Sequence, residues 1–308
     1  MVAETIRRCS NKATTEQFGV LQNGTALLTP FSIVLVLAAA LLHASWNALL
    51  RGGADRTQSM LIMCIIVGLT GLAMVAVAGL PVSAASYVVA SGLIHLCYNV
   101  LLVRMYRSGD LGETYPVARG VSPALIALGG SVFAGEWMGP VGIVGVGLVC
   151  AGIFLLAAAR TGDGLFRLRG MSLTAALATG VSIAAYSVVD GLGVRTSGNW
   201  VAYTGGIFVF ELAMPLWYLA RRGKGAFVMP LPEVTKAASG GVISIVAYGV
   251  IIWAMQGNTM GAVSALRETS VVFAALLGAI FLNERLTGLR LAACCIIAAG
   301  AACVGWRL

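Results

Sequence analysis

Only 10% of the 308 residues in this chain are charged, so few of them can do ionic chemistry. Five charges fall within or against long apolar runs: Arg119 in "PVARGVSPALIALGG", Asp190 in "YSVVDGLGVR", Glu211 in "GGIFVFELAMPLWY", and Arg267 and Glu268 in "SALRETSVVF". An ionised side chain at the centre of a bilayer costs about 2.5–3.5 kcal/mol on insertion scales, so each is a functional candidate by default. Glu211 and Asp190 are candidate proton carriers, or sites for a cation. Asp190 precedes Gly191 near the expected end of its helix, so it could instead simply reach water. A guanidinium can hold a carboxylate or phosphonate with two parallel hydrogen bonds, a fork that lysine lacks. Arg119 and Arg267 are therefore candidates to clamp a substrate anion. They could equally form internal ion pairs with Glu268, Glu211 or Asp190, or snorkel to the interface.

Other polar residues recur at helical spacing. His43, Trp46 and Asn47 stand at i, i+3 and i+4, on one face. Ser91, His95 and Asn99 make a stripe at successive i+4 steps, and Ser182, Tyr186 and Asp190 make another. Such stripes face a protein interior. They either line a cavity or bond helices together. The candidate pocket residues are His43, Trp46, Asn47, His95, Asn99, Arg119, Tyr186, Asp190, Tyr248 and Arg267, with Glu211 and Asp190 as the candidate coupling carboxylates.

The elements that position these residues are membrane-spanning helices. The composition is 59% hydrophobic, and soluble domains carry about 25% charged residues. A span needs about 20 apolar residues. On that rule ten segments are expected, near 30–50, 58–80, 84–106, 113–134, 139–159, 171–193, 199–220, 236–256, 261–282 and 287–306. The net charge of +8 sits in short clusters between them, such as "RGGADR" and "ARRGKG". These are loop anchors and not a nucleic-acid surface. Of the seven cysteines, six lie in apolar runs, where Cys acts as a small hydrophobe. No metal-ligand spacing, no nucleophile–base motif and no cofactor motif is present. The expected class is an all-α membrane protein that is not an enzyme, without metal or cofactor.

The two halves resemble each other. "ARGVSPALIALGGSVFAGEWMG" aligns without gaps on "LRETSVVFAALLGAIFLNERLT", pairing Arg119 with Arg267 (267 − 119 = 148) and Glu136 with Glu284 (284 − 136 = 148). Upstream, "CYNVLL" at Cys97 faces "AYGVII" at Ala247, so Tyr248 is the mate of Tyr98. The expected organisation is a polar tail over 1–29, a five-helix repeat over 30–160, a loop over 161–170 and a second five-helix repeat over 171–308. Five is odd, so the second repeat enters the membrane upside down, the inverted-repeat plan of many transporters. Glu136 and Glu284, at turns, are expected to satisfy backbone N–H groups at the next helix start. Gly142, Gly145, Gly152, Ala293 and Gly300 are expected to let the fifth and tenth helices pack closely, or to form a homodimer face.

These units carry a resemblance. "FAGEWMGPVGIVGVGLVCAG" and "FLNERLTGLRLAACCIIAAG", with "HASWNALLR", "YPVARGVSP" and "YSVVDGLGVR", are similar to the ten-helix EamA-type branch of the drug/metabolite transporter superfamily. The resemblance covers nearly everything after Pro30. It implies export of a small molecule across a bacterial cytoplasmic (inner) membrane by alternating access, without ATP. The two arginines favour a zwitterionic or anionic cargo, amino-acid-like or phosphonate-like. Efflux of cationic drugs or quaternary amines through Glu211 or Asp190 is the alternative. Proton coupling, and a membrane-embedded enzyme or a non-transporting scaffold, stay open at this point. The orientation signals conflict. Loops after odd-numbered segments hold most of the Lys and Arg, which places them in the cytoplasm, whereas the resemblance places both termini there.

Overall fold

The computed structural model describes residues 28–107, 111–161, 171–222, 229–282 and 287–305. The expected tail up to residue 27, most of the inter-repeat loop and Glu284 lie outside the described residues. Among the described residues ten helices are long and apolar enough to span a membrane, as the hydropathy pattern requires. They are α1 (Pro30–Arg51), α2 (Arg56–Ala78), α3 (Ala85–Arg107), α4 (Leu111–Ala134), α5 (Gly139–Thr161), α6 (Met171–Ser197), α7 (Trp200–Phe210 and Ala213–Arg222), α8 (Leu231–Gly257), α9 (Met260–Arg267 and Ser270–Leu282) and α10 (Gly288–Gly305). There is no strand among the described residues.

Local chemistry sets the ends. Thr29 accepts from Ser32 N at 3.1 Å and Pro30 opens α1 without a donor to lose. Asp55 accepts from Thr57 N and Gln58 N at the start of α2. Between α6 and α7, Gly198 takes φ +64° and Asn199 caps Val201 N and Ala202 N. That is a helix stop and a helix start in two residues.

Two spans are broken, which the sequence reading did not anticipate. Pro215 lacks the N–H that would bond the Glu211 carbonyl four residues back, so α7 stops at Phe210 and resumes at Ala213. In α9 the break falls at Glu268 and Thr269, where the Thr269 hydroxyl donates to the Leu266 carbonyl at 2.7 Å. Each break therefore leaves a glutamate at the C-terminal end of a half-helix.

Packing treats the halves alike. The most extensive contacts join α5 to α10, α4 to α6, α1 to α8, α2 to α7, α3 to α6 and α4 to α5. Exchanging α1–α5 with α6–α10 turns each of these into a pair that is also in contact: α1 with α9, α3 with α6, α9 with α10. Apolar side chains such as Leu72, Val132, Phe133 and Ile280 stand on the outside, as lipid contact requires.

The glycine expectation holds at the α5–α10 seam. A Cβ on Gly145 would stand 2.8 Å from the Gly300 carbonyl oxygen, and one on Gly300 would stand 2.7 Å from that of Gly145. Gly142 differs, since its neighbourhood is Met138 and not α10. The stripe is thus filled by the chain's own helix. Gly145→Ala or Gly300→Ala should lower stability by about 1–3 kcal/mol, because backbone cannot yield as a side chain can. Gly147→Ala, which meets open space, should be neutral. Thermal unfolding of the detergent-solubilised variants checks this.

Candidate functional site

A cavity of about 100 Å³ lies between α1, α2 and α3 of the first half and α6, α7 and α8 of the second. Seven of its fifteen lining residues carry rings: His43, Trp46, His95, Tyr98, Tyr186, Phe208 and Tyr248. The rings hold one another in place. His95 stacks on Tyr186 at 4.1 Å between centroids and meets Tyr248 edge-on at 5.4 Å. Tyr186 meets Tyr98 at 5.5 Å and Tyr248 at 6.2 Å. Trp46 donates its indole N–H to His43 Nδ1 at 3.2 Å, which leaves the His43 proton on Nε2. His95 Nδ1 is tied to Ser91 at 3.0–3.1 Å. These bonds fix ring orientation, so the cage is preformed.

Glu211 is the ionisable acid in this wall. Its Oε2 accepts from Asn99 Nδ2 at 2.7 Å and from Cys64 Sγ at 3.2 Å. Glu211 is also the C-cap residue of the first α7 segment, its backbone N–H donating to the Phe208 carbonyl at 3.0 Å, where the helix dipole is negative. Two negative features thus converge on one side of an apolar-walled cavity, and neither donor neutralises the charge. No Lys or Arg lines the cavity among the described residues.

The arginines are elsewhere. Arg119 Nε lies 2.6 Å from Glu268 Oε2, and Arg119 Nη2 donates to Ser270 Oγ at 2.8 Å. Arg267 Nη2 lies 3.6 Å from the other oxygen of Glu268. All three are buried. They sit on α4 and α9, which do not line the cavity. Of the alternatives open at sequence level, the structure displays the internal ion pair, with Glu268 shared between the symmetry mates. Arg119 and Arg267 remain close enough for their charges to act on His43 and Tyr186.

The other candidates divide similarly. His43, Trp46, His95, Asn99, Tyr186, Tyr248 and Glu211 all line the cavity. Asn47 is one turn from it and donates to the His43 carbonyl at 2.8 Å. Asp190 is fully buried rather than at water, behind Tyr248, because α6 runs on to Ser197. Glu136 accepts from a helix-start N–H as expected, but from that of Met260 on α9, at 2.9 Å, and not from α5. It also pairs with Arg195 at 2.5 Å, and Arg195 donates to the carbonyls of Met255 and Asn258. One carboxylate and one guanidinium thereby close the α8–α9 turn. Sequence reasoning passed over Tyr98, Cys64, Phe208 and Ser244 as lining residues. Tyr98 carried a signal, being the repeat mate of Tyr248; Cys64 carried none, since a thiol in an apolar run reads as a hydrophobe.

Ten apolar spans around a cavity reached by both halves define a polytopic α-helical membrane protein with a central site. Residues 170–306 match the EamA-like transporter family. The match covers the second half of the chain, and the EamA-like transporter family is one of the drug/metabolite transporter superfamily. A solved structure titled "Crystal structure of protein" shares the fold, with a TM-score of 0.71 and 22% identity over 89% of this chain and 96% of that one. No curated protein matches the sequence.

Two glutamates at two helix breaks should then behave oppositely. Glu268→Gln leaves two buried guanidinium groups without their shared counter-charge, and breaking a buried pair costs about 3–5 kcal/mol. Glu211→Gln removes a charge that no cation balances and should leave the folded yield near wild type. Size-exclusion yield and thermal unfolding of both variants decide this.

Proposed function

We propose that this transporter carries a small organic cation, an amine or a quaternary ammonium. The lining of the cavity carries this reading. Aromatic faces attract a cation by about 0.5–2 kcal/mol each, more when desolvated, and aromatic cages are the usual receptors for quaternary ammonium. Glu211 and the negative end of the α7 half-helix supply the counter-charge. The anion reading drawn from Arg119 and Arg267 loses its footing, since Glu268 neutralises one of them and neither lines the cavity.

A second reading rests on one observation. Arg119 and Arg267 lie behind the cavity, within electrostatic reach of His43. This favours a zwitterion with its ammonium at Glu211 and its carboxylate toward His43. In both readings the halves are inverted repeats that rock around the cavity, opening it alternately to each side of a bacterial cytoplasmic membrane. The contacts that survive exchange of α1–α5 with α6–α10 support this, and so does the odd helix count of each half. Export is the direction proposed.

Titration calorimetry of the purified protein with tetramethylammonium should show binding. Glu211→Gln should weaken it tenfold or more, and Trp46→Ala by about 0.5–2 kcal/mol. Glycine betaine, which adds a carboxylate to the same ammonium, binds more tightly than tetramethylammonium only on the zwitterion reading. Undiminished binding in the Glu211→Gln variant, or binding of acetate in place of the cation, contradicts the proposal.

A further inference from the structure

Behind the cavity wall lies a carboxylate that the cage does not use. Asp190, on α6, is fully buried. Tyr203 of α7 donates its hydroxyl to Oδ1 at 2.9 Å, and Tyr248 of α8 donates to Oδ2 in a short bond. Among the described residues no Lys, Arg or His forms an ion pair with it. Among the described residues, the buried Glu268 and the part-buried Glu136 each have a guanidinium. Two neutral phenols do not remove a charge, and an ionised carboxylate held without a counter-ion in a dry interior is costly.

The groups around Asp190 are also mostly neutral. Tyr203 faces it from α7, with Tyr87 and Ser91 of α3 beside that tyrosine. Tyr248 faces it from α8, with His95 of α3 against its ring. Tyr186 lies one turn earlier on α6, Met260 of α9 packs on Gly191, and Arg267 of α9 acts on Tyr248 from beyond. Arg195, five residues on along α6, is committed to Glu136.

We propose that Asp190 is a proton-binding site and that Tyr248 reports its occupancy to the cavity. An ionised carboxylate only accepts hydrogen bonds, so both tyrosine hydroxyls point at it. A proton taken up from water turns Oδ2 into a donor. The Asp190 O–H then donates to Tyr248 Oη, and the Tyr248 hydroxyl proton turns to another acceptor. Tyr248 stands in the cavity wall, so that acceptor lies on the cavity side. Only O–H bonds form and break, and the site changes from −1 to neutral. The Tyr248 ring contacts His95, Tyr186 and Phe208, so its reorientation bears on three more members of the cage. A metal cation fits this site poorly, because both phenols present hydrogens toward the carboxylate and not lone pairs.

On the cation reading of the cavity, on which this last step rests, protonating Asp190 removes a negative charge from behind the cage and weakens the bound cation. Proton and substrate then compete without sharing a carboxylate, which is the requirement for exchange of one against the other.

Acid-minus-base infrared difference spectra of the full chain in lipid nanodiscs test the site directly. A protonated carboxylic-acid C=O band is expected at low pH, absent from Asp190→Asn, present in Glu211→Gln, and shifted in frequency in Tyr248→Phe. The last variant keeps the carboxylate and the fold while removing one bond. A band untouched by Asp190→Asn, a band lost only in Glu211→Gln, or no band at any pH where the protein stays folded would overturn the proposal. Tetramethylammonium affinity should fall tenfold or more on acidification through the range where the Asp190 band grows. Tyr248→Phe should flatten that dependence at least threefold, and an unchanged dependence in this variant overturns the relay. If wild type binds no tetramethylammonium at any pH, the cavity reading fails, while the infrared band still decides Asp190.

Discussion

No water in the bilayer interior is available to solvate a charge, so each buried ionic group must bring its own partners. This constraint sorts the carboxylates of the protein. Glu268 is clasped by Arg119 and approached by Arg267, and Glu136 is paired with Arg195. Both acids are spent on architecture: one joins α4 to α9, the other pins the α8–α9 turn. Asp190 accepts from two tyrosine hydroxyls, and Glu211 from an amide and a thiol. Among the described residues neither of these two acids forms an ion pair, and both stand in or directly behind the cavity wall. On the proposed cation reading, incomplete neutralisation there gives the site a use for a positive charge.

The broken helices are the means by which charge reaches the middle of the fold. A continuous helix turns its dipole ends to the membrane surfaces. The interruption of α7 at Pro215 puts a negative end, with Glu211 on it, at the cavity. The interruption of α9 does the same with Glu268, but there Arg267 occupies the last turn and Arg119 answers from the other half. The two breaks belong to different repeat positions, α7 and α9, so this is one place where the halves have diverged. Gly120 stands at the repeat position of Glu268 (268 − 148 = 120), so the acid is present in one repeat and not in the other.

Much of this was legible in the residues. Ten spans follow from apolar run length alone, and of the residues on the polar stripes of the first, third and sixth helices, which the sequence left open between cavity and helix bonding, His43, Trp46, His95, Asn99 and Tyr186 line the cavity. Periodicity tells which residues share a face, and three stripes on three helices leave few places to converge. It does not tell which helices reach the centre. Arg119 and Arg267 looked like cavity residues because burial of charge and repetition were visible. That α4 and α9 sit behind the lining helices was not. For Asp190 the sequence left exposure and burial open, because Gly191 suggested a helix end; α6 continues through it to Ser197, with Met260 packed against that glycine. The break at Glu211 was readable in Pro215, four residues on, where a missing donor frees one known carbonyl.

The central claim is the sign of the charge that the cavity accepts. Crystals grown with tetramethylarsonium, a cation whose arsenic is located by anomalous scattering, read it directly. The account predicts an arsenic peak among Trp46, Tyr98, Tyr186 and Tyr248 and next to Glu211. Parallel crystals with dimethylarsinate, an anion carrying the same scatterer, should leave the cavity empty. Arsenic density in the cavity from the anion, or none from the cation, would contradict the account.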